Sequence, residues 1–148
     1  MYTVVEVNGK TDYADILHKL EIECFPHEYW SYEAIVGEIA KENTHFVVAY
    51  DRNTPIGYFC FSCLLGEAEL ERICVIPDYQ RKGAGSQMLS YAIDYLRELN
   101  CSKFMLEVRS KNYKAVSLYK KYGFEVDFIR KKYYQNPTDD AILMTYTY

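Results

Sequence analysis

At 148 residues the chain has the length of one domain, 1–148, and enough of it to bury a substantial core. Its 49% hydrophobic and 26% charged residues fit a globular protein, and a net charge of −4 argues against a nucleic-acid binder, which carries a basic excess. MYTVVEVNGK lacks the charged start and apolar run of a secretory signal, and the most apolar stretch, Ile56 to Leu65, is too short to cross a bilayer. A cytoplasmic protein without membrane contact is therefore expected. The mild acidity suits a cationic acceptor and is also a common aid to solubility.

In chain order, Tyr2 to Val7 alternates like a first strand. Asp12 to Cys24 and Tyr32 to Glu42 read as helices, with Ile16, Leu20 and Ile22 on one stripe and Ile35, Val36 and Ile39 on the other. FPHEYWS between them is a proline and aromatic loop. Phe46 to Tyr50 and Ile56 to Leu65 read as strands around the turn signal DRNTP. Glu69 to Val75 is a fourth strand, followed by a long amphipathic helix from about Gly83 to Leu99. Lys103 to Val108 is a fifth strand, and Asn112 to Tyr122 a helix closed by Gly123. Phe124 to Ile129 and Ala141 to Tyr146 close the sheet, joined by the loop KKYYQNPTDD. The order predicts a mixed α/β fold, and its two strand–helix–strand passages imply partly parallel pairing.

Five cysteines cannot all pair within one chain, so reduced, buried thiols are expected. Cys60 and Cys63 have metal-like spacing, but residues three apart on a strand face opposite ways, and no histidine cluster completes a zinc site. No metal is expected.

The turn CVIPDYQRKGAGSQML joins the fourth strand to the long helix. Small residues at a helix start leave unpaired backbone N–H groups facing outward, where they attract anions, and Arg81 and Lys82 add full charges. This is compatible with phosphate binding or with a simple glycine-lubricated turn. A P-loop is excluded by the absent Gly-Lys order, and a dinucleotide fingerprint by Met88 in place of a third glycine.

VIPDYQRKGAG resembles the V-x-P-x-[YW]-[QR]-x-x-G-x-[GA] signature of the GNAT acetyltransferases. LEVRSKNYKAVSLYKKYGF and RKKYYQNPTDDAILM are similar to further patterns of the RimI-type branch, the ribosomal-protein-alanine N-acetyltransferases. The likeness is close over roughly Glu67 to Met144; upstream, CFP and the element order carry it. It implies a mostly antiparallel sheet flanked by helices and splayed at an acetyl-CoA site. By analogy Ile73, Cys74 and Val75 run along the pantetheine, while Arg81, Lys82, Gly83, Ala84, Gly85 and Ser86 hold the pyrophosphate. Asn112 matches a further cofactor contact. Glu107 matches the family's general base and Tyr119 its general acid, and the implied acceptor is a ribosomal protein N-terminus.

The chemistry suits these residue types. An α-amine with a pKa of about 8 is mostly protonated at neutral pH, so a carboxylate near it helps to free the nucleophile. Strand parity puts Glu107 on one face with Met105 and Arg109, where partial desolvation would raise its pKa; a salt bridge to Arg109 or Lys103 is the competing reading. Tyr119 lies on the apolar stripe of its helix, so it is either core or the donor to a departing thiolate. Glu71, on a strand more charged than is usual in the branch, is a rival base or an electrostatic partner for the amine. Tyr29, Trp30 and Tyr32, in a loop longer than expected, either shape the acceptor cleft or cap the core. Tyr133 and Tyr134 match the peptide side. A covalent role for Cys74 is not expected, because no histidine is near it in sequence. Acetylation of a small amine such as a polyamine, and a non-catalytic acyl-CoA sensor, remain as alternative functions.

Overall fold

The computed structural model describes residues 2–7 and 10–148; Met1, Asn8 and Gly9 of the opening stretch lie outside the described residues. Seven strands form one sheet: β1 (Thr3–Glu6), β2 (Thr44–Asp51), β3 (Thr54–Leu64), β4 (Glu67–Val75), β5 (Lys103–Arg109), β6 (Glu125–Tyr134) and β7 (Asp139–Thr147). Their spatial order is β1-β2-β3-β4-β5-β7-β6. The helices are α1 (Ala14–Cys24), α2 (Tyr32–Ile39), α3 (Ala84–Glu98) and α4 (Tyr113–Lys121). Among the described residues no helix is long and apolar enough to cross a membrane.

Period-two alternation divides the core between the two faces of the sheet. Phe46, Val48, Tyr58 and Cys60 face α1 and α2, where they meet Leu17, Leu20, Ile35 and Ile39. Val47, Ala49, Phe59 and Phe61 face α3 and meet Met88, Leu89, Ala92 and Leu96. Cys63 packs on this second side, opposite Cys60, as strand geometry requires. Leu65 and Gly66, both at positive φ, form the two-residue turn between β3 and β4.

β4 and β5 are parallel and pair only from Glu67↔Lys103 to Glu69↔Met105, after which they diverge. This is the expected splay. The second strand–helix–strand passage gives no parallel neighbour, because β7 inserts between β5 and β6 and is antiparallel to both.

Three expectations are corrected. The buried face of α1 is Ala14, Leu17, Leu20 and Glu21, while Ile22 is 40% exposed, so a buried carboxylate stands where an apolar stripe was expected. α2 stops at Ile39, because the chain turns through Lys41 to begin β2 at Thr44. Finally, Lys131–Tyr134 continues β6, and Asp139 and Asp140 begin β7. The ladder survives by shifting register between Arg130 and Tyr134, with Lys132 at φ 50° and its N–H donating to Asp140 Oδ1 at 2.8 Å. Tyr133 and Tyr134 are thus strand residues.

Candidate active site

The divergence of β4 from β5 leaves the β4 edge beyond Glu69 without a neighbour, so its backbone groups are open to an extended chain rich in amides. A groove of about 460 Å³ follows this edge. Ile73, Cys74 and Val75 form its floor, Asn112, Ala115, Leu118 and Tyr119 its far wall, and Arg81, Gly83, Gly85 and Ser86 its rim. Gln80 Nε2 donates to the Val75 carbonyl at 3.0 Å, so that acceptor is already engaged.

At the rim the chain enters α3 through Arg81 at φ 64° and Gly83 at φ 87°. Left-handed backbone favours glycine at 83, which supplies no side-chain cap. The first turn of α3 carries no acidic residue, so its positive end stands without a negative side chain of its own, beside the exposed Arg81. Gly85 differs from Gly83: a Cβ there would meet Leu118 at an ordinary 3.8 Å. Ala84 is buried and offers only backbone. Lys82 lines the adjoining hollow along α3, its ammonium 5.6 Å from the Tyr79 ring centre. The groove therefore offers an open strand edge to an extended, amide-bearing chain and a cationic helix start to an anionic group.

A second cavity, of about 340 Å³, opens on the α1–α2 side. Glu71, Arg72, Glu107, Arg109 and Tyr134 contribute polar groups to it, and Phe25 and Glu28 form part of its wall. The two cavities share Ile73, Asn112 and Tyr119. Tyr119 belongs to the α3-side core and Glu107 points to the opposite face, so the gap between β4 and β5 is what brings them to one place.

Glu107 is exposed and not enclosed by the core. Nor is it tied down by the cations considered for it. Lys103 pairs with Glu67 at 3.5 Å, and Arg109 donates to the Pro137 carbonyl at 3.0 Å while lying 4.3 Å from the Tyr134 ring centre. Tyr134 is instead its neighbour: burial raises the phenol pKa, and the Glu107 charge and hydrogen bond raise it further. Burial, then the charges of Glu71 and Glu107, also raise the Glu69 carboxyl, so three carboxyl groups stand near one another on this face. Tyr119 is 4% exposed, and burial pushes its phenol up to about 12. It therefore holds its proton at any working pH. Cys74 is buried beside Cys24, and burial holds its thiol well above the usual range, which disfavours a thiolate nucleophile.

Asn112 Oδ1 accepts from the Ala115 N–H at 3.3 Å and so caps α4. The turn before it is clamped by Asp139, which accepts from Ser110 Oγ at 2.5 Å and the Lys111 N–H at 3.1 Å. Those bonds, Ser110 first, lower the Asp139 pKa. Outside both cavities, Tyr29 and Tyr32 pack edge-on against His18 at 5.7 and 6.1 Å, and Tyr133 packs on Tyr134. Trp30 lies 5.0 Å from the guanidinium of Arg72, which is itself in the wall of the second cavity. Sequence reasoning missed Phe25, Glu28 and Arg72 as lining residues, although CFP and the unusual charge on β4 were visible.

The family model described as acetyltransferase (GNAT) family matches residues 13–124. This chain belongs to the GNAT family. It is an acetyl-transferring enzyme, and the family uses acetyl-CoA. Among its relatives is the [ribosomal protein bS18]-alanine N-acetyltransferase of Escherichia coli K12, 42% identical over 134 residues that cover 88% of this chain and 89% of the relative. The N-alpha-acetyltransferase RimI of Mycobacterium tuberculosis is 34% identical over 119 residues, covering 78% and 73%. The crystal structure of the ribosomal-protein-S18-alanine N-acetyltransferase from Escherichia coli superposes with a TM-score of 0.89 at 29% identity, covering 99% of this GNAT chain and 94% of that one.

Proposed function

We propose that this enzyme acetylates the N-terminal α-amine of a protein, namely the N-terminal alanine of a small-subunit ribosomal protein, in the cytoplasm. The observation that carries the reading is the junction of two cavities at Tyr119 and Asn112, with Glu107 on the acceptor side only. The similarity to alanine N-acetyltransferases of ribosomal protein bS18 supplies the acceptor class.

Acetyl-CoA would be held by Ile73, Cys74 and Val75 on β4 and by the start of α3, and would supply the thioester carbonyl and a thiolate leaving group. Glu107 accepts the proton that an incoming ammonium must lose before its nitrogen can attack. Glu71 on the same wall adds negative charge that holds the cationic amine close. Tyr119, still protonated at the junction, donates its phenolic proton to the sulfur as the C–S bond breaks, and regains a proton from the newly acylated nitrogen as that becomes an amide. Asn112 positions α4, and with it Tyr119, against the groove. Tyr134 supports Glu107 from the peptide side, and an acceptor rich in Arg and Lys matches the field of Glu69, Glu71 and Glu107.

The test compares acetyl-CoA turnover on an alanine-starting basic peptide, the same peptide N-terminally blocked, and spermidine. Turnover of the free peptide alone is expected. Turnover of spermidine alone would move the enzyme to small amines, and coenzyme A binding without turnover of any acceptor would replace catalysis by sensing.

A further inference from the structure

Glu21 lies on α1 with none of its side chain exposed, yet it accepts four hydrogen bonds. Arg72 Nε donates to Oε2 at 3.0 Å and Arg72 Nη2 to Oε1 at 2.8 Å. The Trp30 N–H donates to Oε1 at 2.8 Å, and the Tyr58 hydroxyl to Oε2. Burial by itself disfavours the charged carboxylate, but the donors, Arg72 foremost, outweigh it and lower the pKa. The same network raises the Tyr58 phenol, burial being the larger cause.

Arg72 stands on β4 between Glu71 and Ile73, in the wall of the acceptor cavity. Its guanidinium lies 3.9 Å from the Phe25 ring centre and 5.0 Å from that of Trp30, and Nη2 reaches the Glu28 carbonyl at 3.3 Å. One side chain therefore grips three residues of the α1–α2 loop. Two of them, Phe25 and Glu28, face the cavity directly. The grip leaves the acetyl-CoA groove alone: neither Arg72 nor any residue of that loop lines it.

We infer that Glu21 and Arg72 are positioning residues that latch the Phe25–Trp30 loop onto β4 and thereby set the acceptor wall, so that they govern acceptor affinity and not acetyl-CoA affinity. This rests on the assignment of that cavity to the acceptor. A pair serving stability alone would leave the two Michaelis constants in their original ratio.

The chain contains one tryptophan, and it is Trp30, so intrinsic fluorescence reads the latch without any need for turnover. Arg72→Lys keeps the charge but loses the planar fork that spans both Glu21 oxygens. We expect the acceptor KM to rise about tenfold or more, the acetyl-CoA KM to stay within about twofold, and Trp30 to become more accessible to acrylamide. An unchanged acceptor KM, or a parallel rise in both constants, overturns the inference. Glu21→Gln, which keeps the shape but not the charge, serves the same comparison if far-UV circular dichroism shows Arg72→Lys unfolded. If the wild-type enzyme leaves the alanine peptide untouched, the proposed acceptor fails and the latch does not. Trp30 quenching then decides it: increased in the variant supports the latch, unchanged overturns it.

Discussion

Glu21 and Glu107 are glutamates on either side of one cavity wall, and they differ in every respect that matters for chemistry. Glu21 is sealed from solvent and saturated by Arg72, Tyr58 and the Trp30 N–H. A carboxylate so fully engaged has no lone pair to offer a substrate, and protonating it would leave the half-buried Arg72 without its counter-charge. Glu107 is exposed on the open floor, with Tyr134 as its neighbour and the nearby cations engaged elsewhere. It stands open to whatever enters the cavity. Residue type thus says little about role; the count of donors around the carboxylate and its access to solvent decide.

Glu107→Gln is the hardest test of this contrast. It should lower kcat by about 10²–10⁴-fold, as expected when a general base is removed, with acetyl-CoA binding kept. Isothermal titration beside steady-state turnover separates the two, and undiminished kcat would make Glu107 a bystander. Next in size, Tyr119→Phe should slow kcat by about a hundredfold. Because the Tyr119 proton is held up to about 12, the alkaline side of the pH–rate profile should keep its shape in this variant. A limb that vanishes with the hydroxyl would mean that Tyr119 titrates in the working range.

Glu21 should show itself through stability. Its folded pKa lies below the ordinary value of 4.5, because Arg72 and the other donors outweigh burial. Its contribution is therefore complete above the unfolded pKa and is lost as pH falls through the folded one. Urea titrations between about pH 6 and pH 2 should show this acid loss in the wild type and a shallower slope in Glu21→Gln. Equal slopes would remove Glu21 from the acid response. The smallest effect belongs to Asn112→Ala, which loses the cap on α4 at a cost of about 1 kcal/mol, or a fall in Tm of about 2–4 °C. A larger loss in turnover than in stability would show that Asn112 also acts on the bound acetyl-CoA.

The two faces of the sheet were unequally legible. On the α3 side, periodic apolar residues, Gly83 and the turn VIPDYQRKGAG carry their meaning locally, because helix starts and left-handed turns are properties of neighbouring residues. On the α1 side the decisive contacts join Glu21 to Arg72, 51 positions apart, and to Tyr58, 37 apart. A helical glutamate next to apolar residues reads as a solvated face until its partners are known, so periodicity alone puts Ile22, which is exposed, on the apolar stripe of α1. The continuation of β6 through Tyr134 was hidden for a similar reason: Asp140, from the next strand, holds Lys132 in its bulge.

By itself the sequence determined the element order and the glycine turn that opens α3, and the likeness to GNAT enzymes singled out Glu107 and Tyr119. Only the tertiary structure decided that β7 separates β5 from β6, that β4 and β5 part after Glu69 and Met105, and that this gap lets residues of opposite faces meet. The reason is physical: periodicity and turn chemistry act over a few residues, whereas a cavity is made by surfaces that the chain brings together from far apart.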